Sequence, residues 1–214
     1  MATIAVIDYG GSNLRSVAKA IETVAESRDR VIVADNAHQI RAADRIVFPG
    51  QGAIGNCMAR LQEHDLVDVI RETARTRPFL GICLGLQSLM STSNEDGGTA
   101  CLDLFPGSVA RFPDDPPPAA DGSPQKVPHM GWNEVSWTHA HPVTADIPSG
   151  TRFYFVHSYY VVPTQTSLTI GQTTYIETFT SAIAQDYVFA TQFHPEKSAA
   201  AGLQLLRNFL GWGV

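Results

Sequence analysis

Phe79-Leu80-Gly81-Ile82-Cys83-Leu84-Gly85-Leu86-Gln87-Ser88-Leu89-Met90 runs from a short apolar segment, through a cysteine set between two glycines, into a helical pattern over 86–90. Apolar runs this short, rich in branched and aromatic side chains, suit strands buried on both faces. Similar runs occupy 4–7, 31–33 and 46–48, and helical patterns fall between them at 14–24, from 54 to 61 or a little beyond, and at 66–74. The alternation predicts an α/β fold with a mostly parallel central sheet flanked by helices. Function in such sheets gathers at the carboxyl ends of the strands. Three glycine-bearing segments are expected there, on one edge: Asp8-Tyr9-Gly10-Gly11, Pro49-Gly50-Gln51-Gly52 and Gly81-Ile82-Cys83-Leu84-Gly85.

The second half of the chain changes character. Residues 106–128, with Pro113-Asp114-Asp115-Pro116-Pro117-Pro118, read as a loop by composition. Strand-like runs at 127–137, 153–156, 168–174 and 187–193 predict an antiparallel extension, and a helix over 199–210 closes the chain. There is no internal repeat, so residues 1–214 are expected to form a single domain, with 113–124 as a surface loop insertion.

Composition narrows the function classes. Fifteen Lys and Arg against 21 Asp and Glu give a net charge of -6, which argues against nucleic acid or an anionic membrane as the main partner. The N-terminal stretch has no basic region followed by a small-residue cleavage site, and no apolar run is long enough to span a bilayer. Cys57, Cys83 and Cys101 form neither a CxxC pair nor an even disulfide framework. A cytoplasmic protein in a reducing environment is the expectation.

Gly81-Ile82-Cys83-Leu84-Gly85 is the thiol counterpart of the nucleophile elbow, in which a sharp strand-to-helix turn exposes the reactive atom and tolerates only small neighbours. A helix start favours thiolate over thiol, and the backbone N–H of Leu84 is a natural oxyanion donor. On the elbow alone, a small buried core cysteine is an equal reading. Gln192-Phe193-His194-Pro195-Glu196-Lys197-Ser198, expected at the end of the last strand, supplies a base and a group to orient it. An extended backbone would direct His194 and Glu196 to the same side, with Pro195 stiffening the spacing.

These two segments resemble the two motifs of the class I (triad) glutamine amidotransferases. The resemblance implies glutamine as substrate, a γ-glutamyl thioester on Cys83, assistance from His194 and Glu196, and no cofactor or metal. It implies a second oxyanion contact from Gly50, Gln51 and Gly52. It also implies that Gln87 and Glu95 hold the bound glutamine, and that the backbone of Ser158 and Tyr159 holds its carboxylate.

Within that class the chain is similar to the glutaminase subunits of imidazole glycerol phosphate synthases. The match rests on residues 8–16, Pro49-Gly50-Gln51-Gly52-Ala53, Pro128-His129-Met130-Gly131-Trp132-Asn133 and Phe155-Val156-His157-Ser158-Tyr159. It implies a (β/α)8-barrel cyclase partner that receives ammonia, forming a heterodimer in histidine biosynthesis. It assigns Asn13, Met130, Trp132, Tyr154 and Lys197 to the interface or its gate. Two departures stand out: Gln51 replaces the usual Val, and 113–124 is longer and richer in proline than is usual.

Other readings weigh less. Gly50-Gln51-Gly52-Ala53-Ile54-Gly55 fits G-x-G-x-x-G, but the next strand ends in Cys83 rather than in the acid a dinucleotide site needs. A thiol peptidase gives no reason for Gln87 or for the whole His-Pro-Glu-Lys-Ser run, and a non-catalytic protein gives none for an intact triad. The glutaminase of another synthase, such as one making pyridoxal phosphate, is the alternative within the class. His139 and His141 lack a further ligand at suitable spacing and read as loop histidines.

Overall fold

A computed structural model of the chain describes residues 1–10, 14–119 and 122–213. In chain order the strands are β1 (Thr3–Ile7), β2 (Arg30–Ala34), β3 (Arg45–Gly50), β4 (Phe79–Cys83), β5 (Thr92–Ser93), β6 (Thr99–Ala100) and β7 (Gly107–Arg111). They continue with β8 (His129–Trp137), β9 (Thr151–His157), β10 (Tyr159–Pro163), β11 (Thr169–Thr174), β12 (Thr178–Gln185) and β13 (Val188–Thr191). The α-helices are α1 (Leu14–Val24), α2 (Ala37–Ala42), α3 (Ile54–Glu63), α4 (Val67–Ala74), α5 (Leu84–Gln87) and α6 (Ala199–Gly211).

The parallel half has the order β2-β1-β3-β4-β13, all neighbours parallel. Beyond β13 the sheet turns antiparallel through β12, β10 and β7, while β11 leads from β12 to β8 and on to β9. Alternate residues of the central strands enter opposite cores, as strand geometry requires. Ala5, Ile7, Ile46, Phe48 and Phe79 pack on the side of α3 and α4. Ile4, Val6, Val47, Leu80 and Ile82 pack on the side of α1 and α6.

Each predicted strand of the first half lies within β1 to β4. Several elements differ from expectation: β10 and β12, with the short β5 and β6, fall where no strand was expected. Gly107–Arg111, inside the stretch read as a loop, is strand β7 and pairs residue for residue with β10. Its neighbours Pro106 and Pro113, and a single fully buried apolar residue, Val109, hide it from a reading of composition. Helix α2 spans only six residues, too few for a periodic pattern; its local signal is Asn36, whose side chain accepts the backbone N–H of Gln39 at 3.0 Å. Helix α5 starts directly at Leu84, two residues earlier than the helical pattern suggested.

The elbow is held by a close backbone approach. A Cβ on Gly85 would overlap the carbonyl oxygen of Phe48 in β3, and one on Gly81 would stand 2.9 Å from the Cβ of Ala190 in β13. Gly85→Ala is therefore expected to destabilise the protein by about 3 kcal/mol or more in urea unfolding. Gly211→Ala, where an added methyl meets nothing within 4 Å, is expected to stay within about 1 kcal/mol.

Candidate active site

Cys83 ends β4 with φ 55° and ψ −106°, a conformation that is costly for a residue with a side chain. The strain turns the chain out of the strand and into α5 within one residue. Cys83 is buried at the floor of a cleft of about 400 Å³, which Gln51, Gly52, Leu84, Glu95 and His194 also line. Since β3 and β4 are adjacent and in register, Gly50 lies opposite Cys83. A Cβ on Gly50 would come within 2.7 Å of the Cβ of Leu84, so the 50–52 loop and the elbow touch. Gly52 sits at φ +91°, in the region that favours glycine.

His194 follows β13, the parallel neighbour of β4, and this brings it to the same edge. Its Nδ1–H donates to Oε1 of Glu196 at 2.9 Å, with both side chains withdrawn from solvent. The pairing does not arise from extended backbone, as the spacing alone suggested. Residues Pro195–Lys197 form a 3₁₀ turn, and this turn swings the carboxylate back under the ring. Ser198 ties the turn down by donating to the carbonyl of His194 at 2.6 Å and accepting the N–H of Tyr154 at 3.0 Å.

The other ring nitrogen, Nε2, is buried and makes no hydrogen bond of ordinary geometry among the described residues. Burial alone pushes the imidazole pKa down, but the charge and proximity of Cys83, followed by those of Glu196, outweigh it and raise it to about 10. A cysteine facing an imidazole that holds its proton can work as an ion pair: the sulfur attacks, and the ring protonates the leaving group.

Polar contacts floor the cleft. Gln87 Nε2 donates to the carbonyl of Tyr159 at 2.9 Å and to Oε1 of Gln192 at 3.1 Å, while Gln192 Nε2 reaches Sγ of Cys83 at 3.6 Å. Glu95 lines the cleft and accepts the N–H of Ile54 at 2.9 Å, so one carboxylate faces the pocket and also caps α3, directly after the 50–52 loop. Ser158 and Tyr159 also line it. Sequence reasoning did not single out Gln192, although it stands in the same motif as His194. It also passed over Tyr9, whose hydroxyl is buried and whose ionisation burial drives far upward.

Outside the cleft, Met130 is 62% and Trp132 45% exposed on β8. Trp132 meets the ring of Tyr154 edge-on at 6.2 Å, and Lys197 Nζ sits 6.0 Å from the centre of the same ring. These four residues therefore share one surface at the mouth of the site. Asn13 lies outside the described residues. His141 accepts the N–H of Val143 at 3.1 Å and shapes its own loop.

The model of the family described as "Glutamine amidotransferase class-I" matches residues 5–211. A protein of Nitrosococcus oceani described as imidazole glycerol phosphate synthase subunit HisH is 54% identical over 212 residues, covering 99% of this chain and 98% of its own. The same description is borne by a relative in Aromatoleum aromaticum, 52% identical, with 99% of both chains covered. Among solved structures, a putative GMP synthase component from Thermoplasma acidophilum superposes with a TM-score of 0.71 at 20% identity, over 99% of this chain and 93% of that one. A glutamine amidotransferase from Thermotoga maritima gives 0.63 at 15% identity, over 98% and 83%. The two structures share the fold.

The raised His194 pKa carries a sign. Stabilisation from the protonated ring is complete below its ordinary value of 6.5 and is lost as pH rises through about 10. An NMR titration is expected to find His194 still protonated well above pH 7. Glu196→Gln, which removes the carboxylate charge, is expected to lower that midpoint by about one to three pH units.

Proposed function

The chain belongs to the class I glutamine amidotransferase family, and within it to the HisH subunits of imidazole glycerol phosphate synthase; on that premise we propose that Cys83, His194 and Glu196 hydrolyse L-glutamine and that the ammonia serves a partner protein. One observation carries this reading: a strained strand-end cysteine shares a cleft with a buried histidine that is oriented by a buried glutamate.

In the proposed cycle Sγ of Cys83 attacks the γ-amide carbon of glutamine. The tetrahedral oxyanion takes hydrogen bonds from the backbone N–H of Leu84 and from the 50–52 loop. The C–N bond then breaks as protonated His194 gives its Nε2 proton to the departing nitrogen, which leaves as ammonia. Water attacks the γ-glutamyl thioester with His194 as base; glutamate departs and the thiolate–imidazolium pair is restored. Glu196 fixes the ring through Nδ1 in every step. Glu95 and Gln87 hold the α-amino end of glutamine, and the Ser158–Tyr159 backbone holds its carboxylate.

The reading extends to a heterodimer with a (β/α)8-barrel cyclase in the cytoplasm, in which ammonia passes between subunits in histidine biosynthesis. Free ammonia protonates at neutral pH and loses its nucleophilicity, so a sheltered route is chemically useful. Met130, Trp132, Tyr154 and Lys197 support a docking surface beside the triad, since exposed Met and aromatic residues are enriched at interface cores. The whole chain acts as one glutaminase unit, and 113–124 is a surface insertion without chemistry.

Glutamate release is expected to be slow for the chain alone and to rise strongly once the ligand-bound barrel cyclase is added. Full turnover without the partner would count against the assignment. Cys83→Ala is expected to abolish glutamine use while ammonia-driven synthesis by the complex persists. Gln51→Val is expected to retain glutamine turnover with the partner, because both loop glycines remain.

A further inference from the structure

Strand β8 alternates as strands must. Met130 and Trp132 face outward, while His129 and Asn133 point to the inner side. His129 stands directly opposite His157 of β9, and both rings are buried. His129 is clamped between Phe155, at 4.8 Å between ring centres, and Tyr175, at 4.1 Å.

The hydrogen bonds of this pair run in one direction, and the acceptor at the end fixes it. Nδ1 of His157 lies 2.8 Å from the carbonyl oxygen of Tyr159, which only accepts, so Nδ1 of His157 carries a proton. Nε2 of His157 lies 3.0 Å from Nδ1 of His129. In a neutral His157 that Nε2 is an acceptor, so Nδ1 of His129 must donate. His129 Nε2 is then the acceptor facing Nδ2 of Asn133 at 3.3 Å. The Asn133 amide is oriented independently: its Nδ2 also donates to the carbonyl of Thr174 at 2.9 Å, and its Oδ1 accepts the N–H of Glu134 at 2.8 Å. Burial favours the neutral rings this pattern requires, lowering the pKa of His129 to about 4 and that of His157 to about 3.

The relay ends on the carbonyl that Gln87 also engages, at the wall of the cleft. We propose that Asn133, His129 and His157 form a neutral, one-way positioning relay that joins the outward-facing docking strand to the carbonyl of Tyr159, and so fixes the backbone of the residue that, with Ser158, receives the glutamine carboxylate. The proposal rests on the glutaminase reading and assigns these residues a part in binding rather than in bond breaking. His129 and His157 touch no reacting atom. They set where the cradle lies, and a partner pressing on Met130 and Trp132 moves the strand that carries them.

Long-range ¹⁵N–¹H spectra of the histidine-labelled chain are expected to show both His129 and His157 as neutral rings protonated at Nδ1. An Nε2–H tautomer or an imidazolium at either position would overturn the relay. In the complex with the barrel cyclase, His129→Phe keeps the ring stacking and removes the donor. It is expected to raise the KM for glutamine about tenfold, the scale of one lost hydrogen bond, with kcat changed much less. His129→Asn, whose amide nitrogen can replace Nδ1, is expected to recover most of that loss. An unchanged KM in His129→Phe, or an equal loss in both variants, would also overturn it. Absence of glutamate release from the unsubstituted complex would instead overturn the glutaminase reading, and the tautomers would still decide the relay.

Discussion

The carbonyl of Phe48 occupies the space where a side chain on residue 85 would go, and this one backbone contact underlies the geometry of the site. It pulls the start of α5 against β3, so the chain must leave β4 in a single residue. That residue is Cys83, and its φ of 55° is the conformational cost of the turn. The same approach brings Gly50 against Leu84, so the 50–52 loop and Cys83 share one edge. Were β3 a residue longer or Gly85 any larger, the two would part.

The second condition is topological. The sheet returns after a long antiparallel excursion to place β13 parallel to β4, and that pairing sets His194 beside Cys83. The 3₁₀ turn after it buries Glu196 against the ring, where low dielectric strengthens the attraction that keeps the imidazole protonated. Gln192, two residues before His194, reaches both Cys83 and Gln87. Cys57, by contrast, is buried, and burial pushes its thiol up to about 11 although Ser88 beside it pulls the other way. Sequence context had already set Cys83 apart from it.

Legibility in the sequence followed the range of the forces involved. Strands β1 to β4 were readable because burial on both faces leaves continuous apolar runs, and α1 because its pattern repeats over three turns. The grouping of Cys83, His194 and Glu196 was readable because a glycine-flanked cysteine and a His-Pro-Glu rarely occur together by chance in one chain. Strand β7 was hidden because its partners lie far along the chain and only Val109 is fully buried within it. The His194–Glu196 contact was expected for the wrong local reason, since a 3₁₀ turn, not an extended strand, closes it. The bond from His129 to His157 had no sequence signal at all: it exists only because β8 and β9 pair in one register.

That register makes chain length, at this place, a chemical property. Strand side chains repeat every two residues, so one extra residue just after Asn133, with the pairing beyond it kept, would turn Met130 and Trp132 inward and present His129 and Asn133 to the outside. No single substitution could then repair both faces. Upstream, between β7 and β8, added length would cost little, because each doubling of a loop costs about 0.6 kcal/mol and displaces no register. Extra length is tolerated between β7 and β8 and not within β8, so a proline-rich loop and a strand of fixed register can occupy neighbouring stretches of one chain.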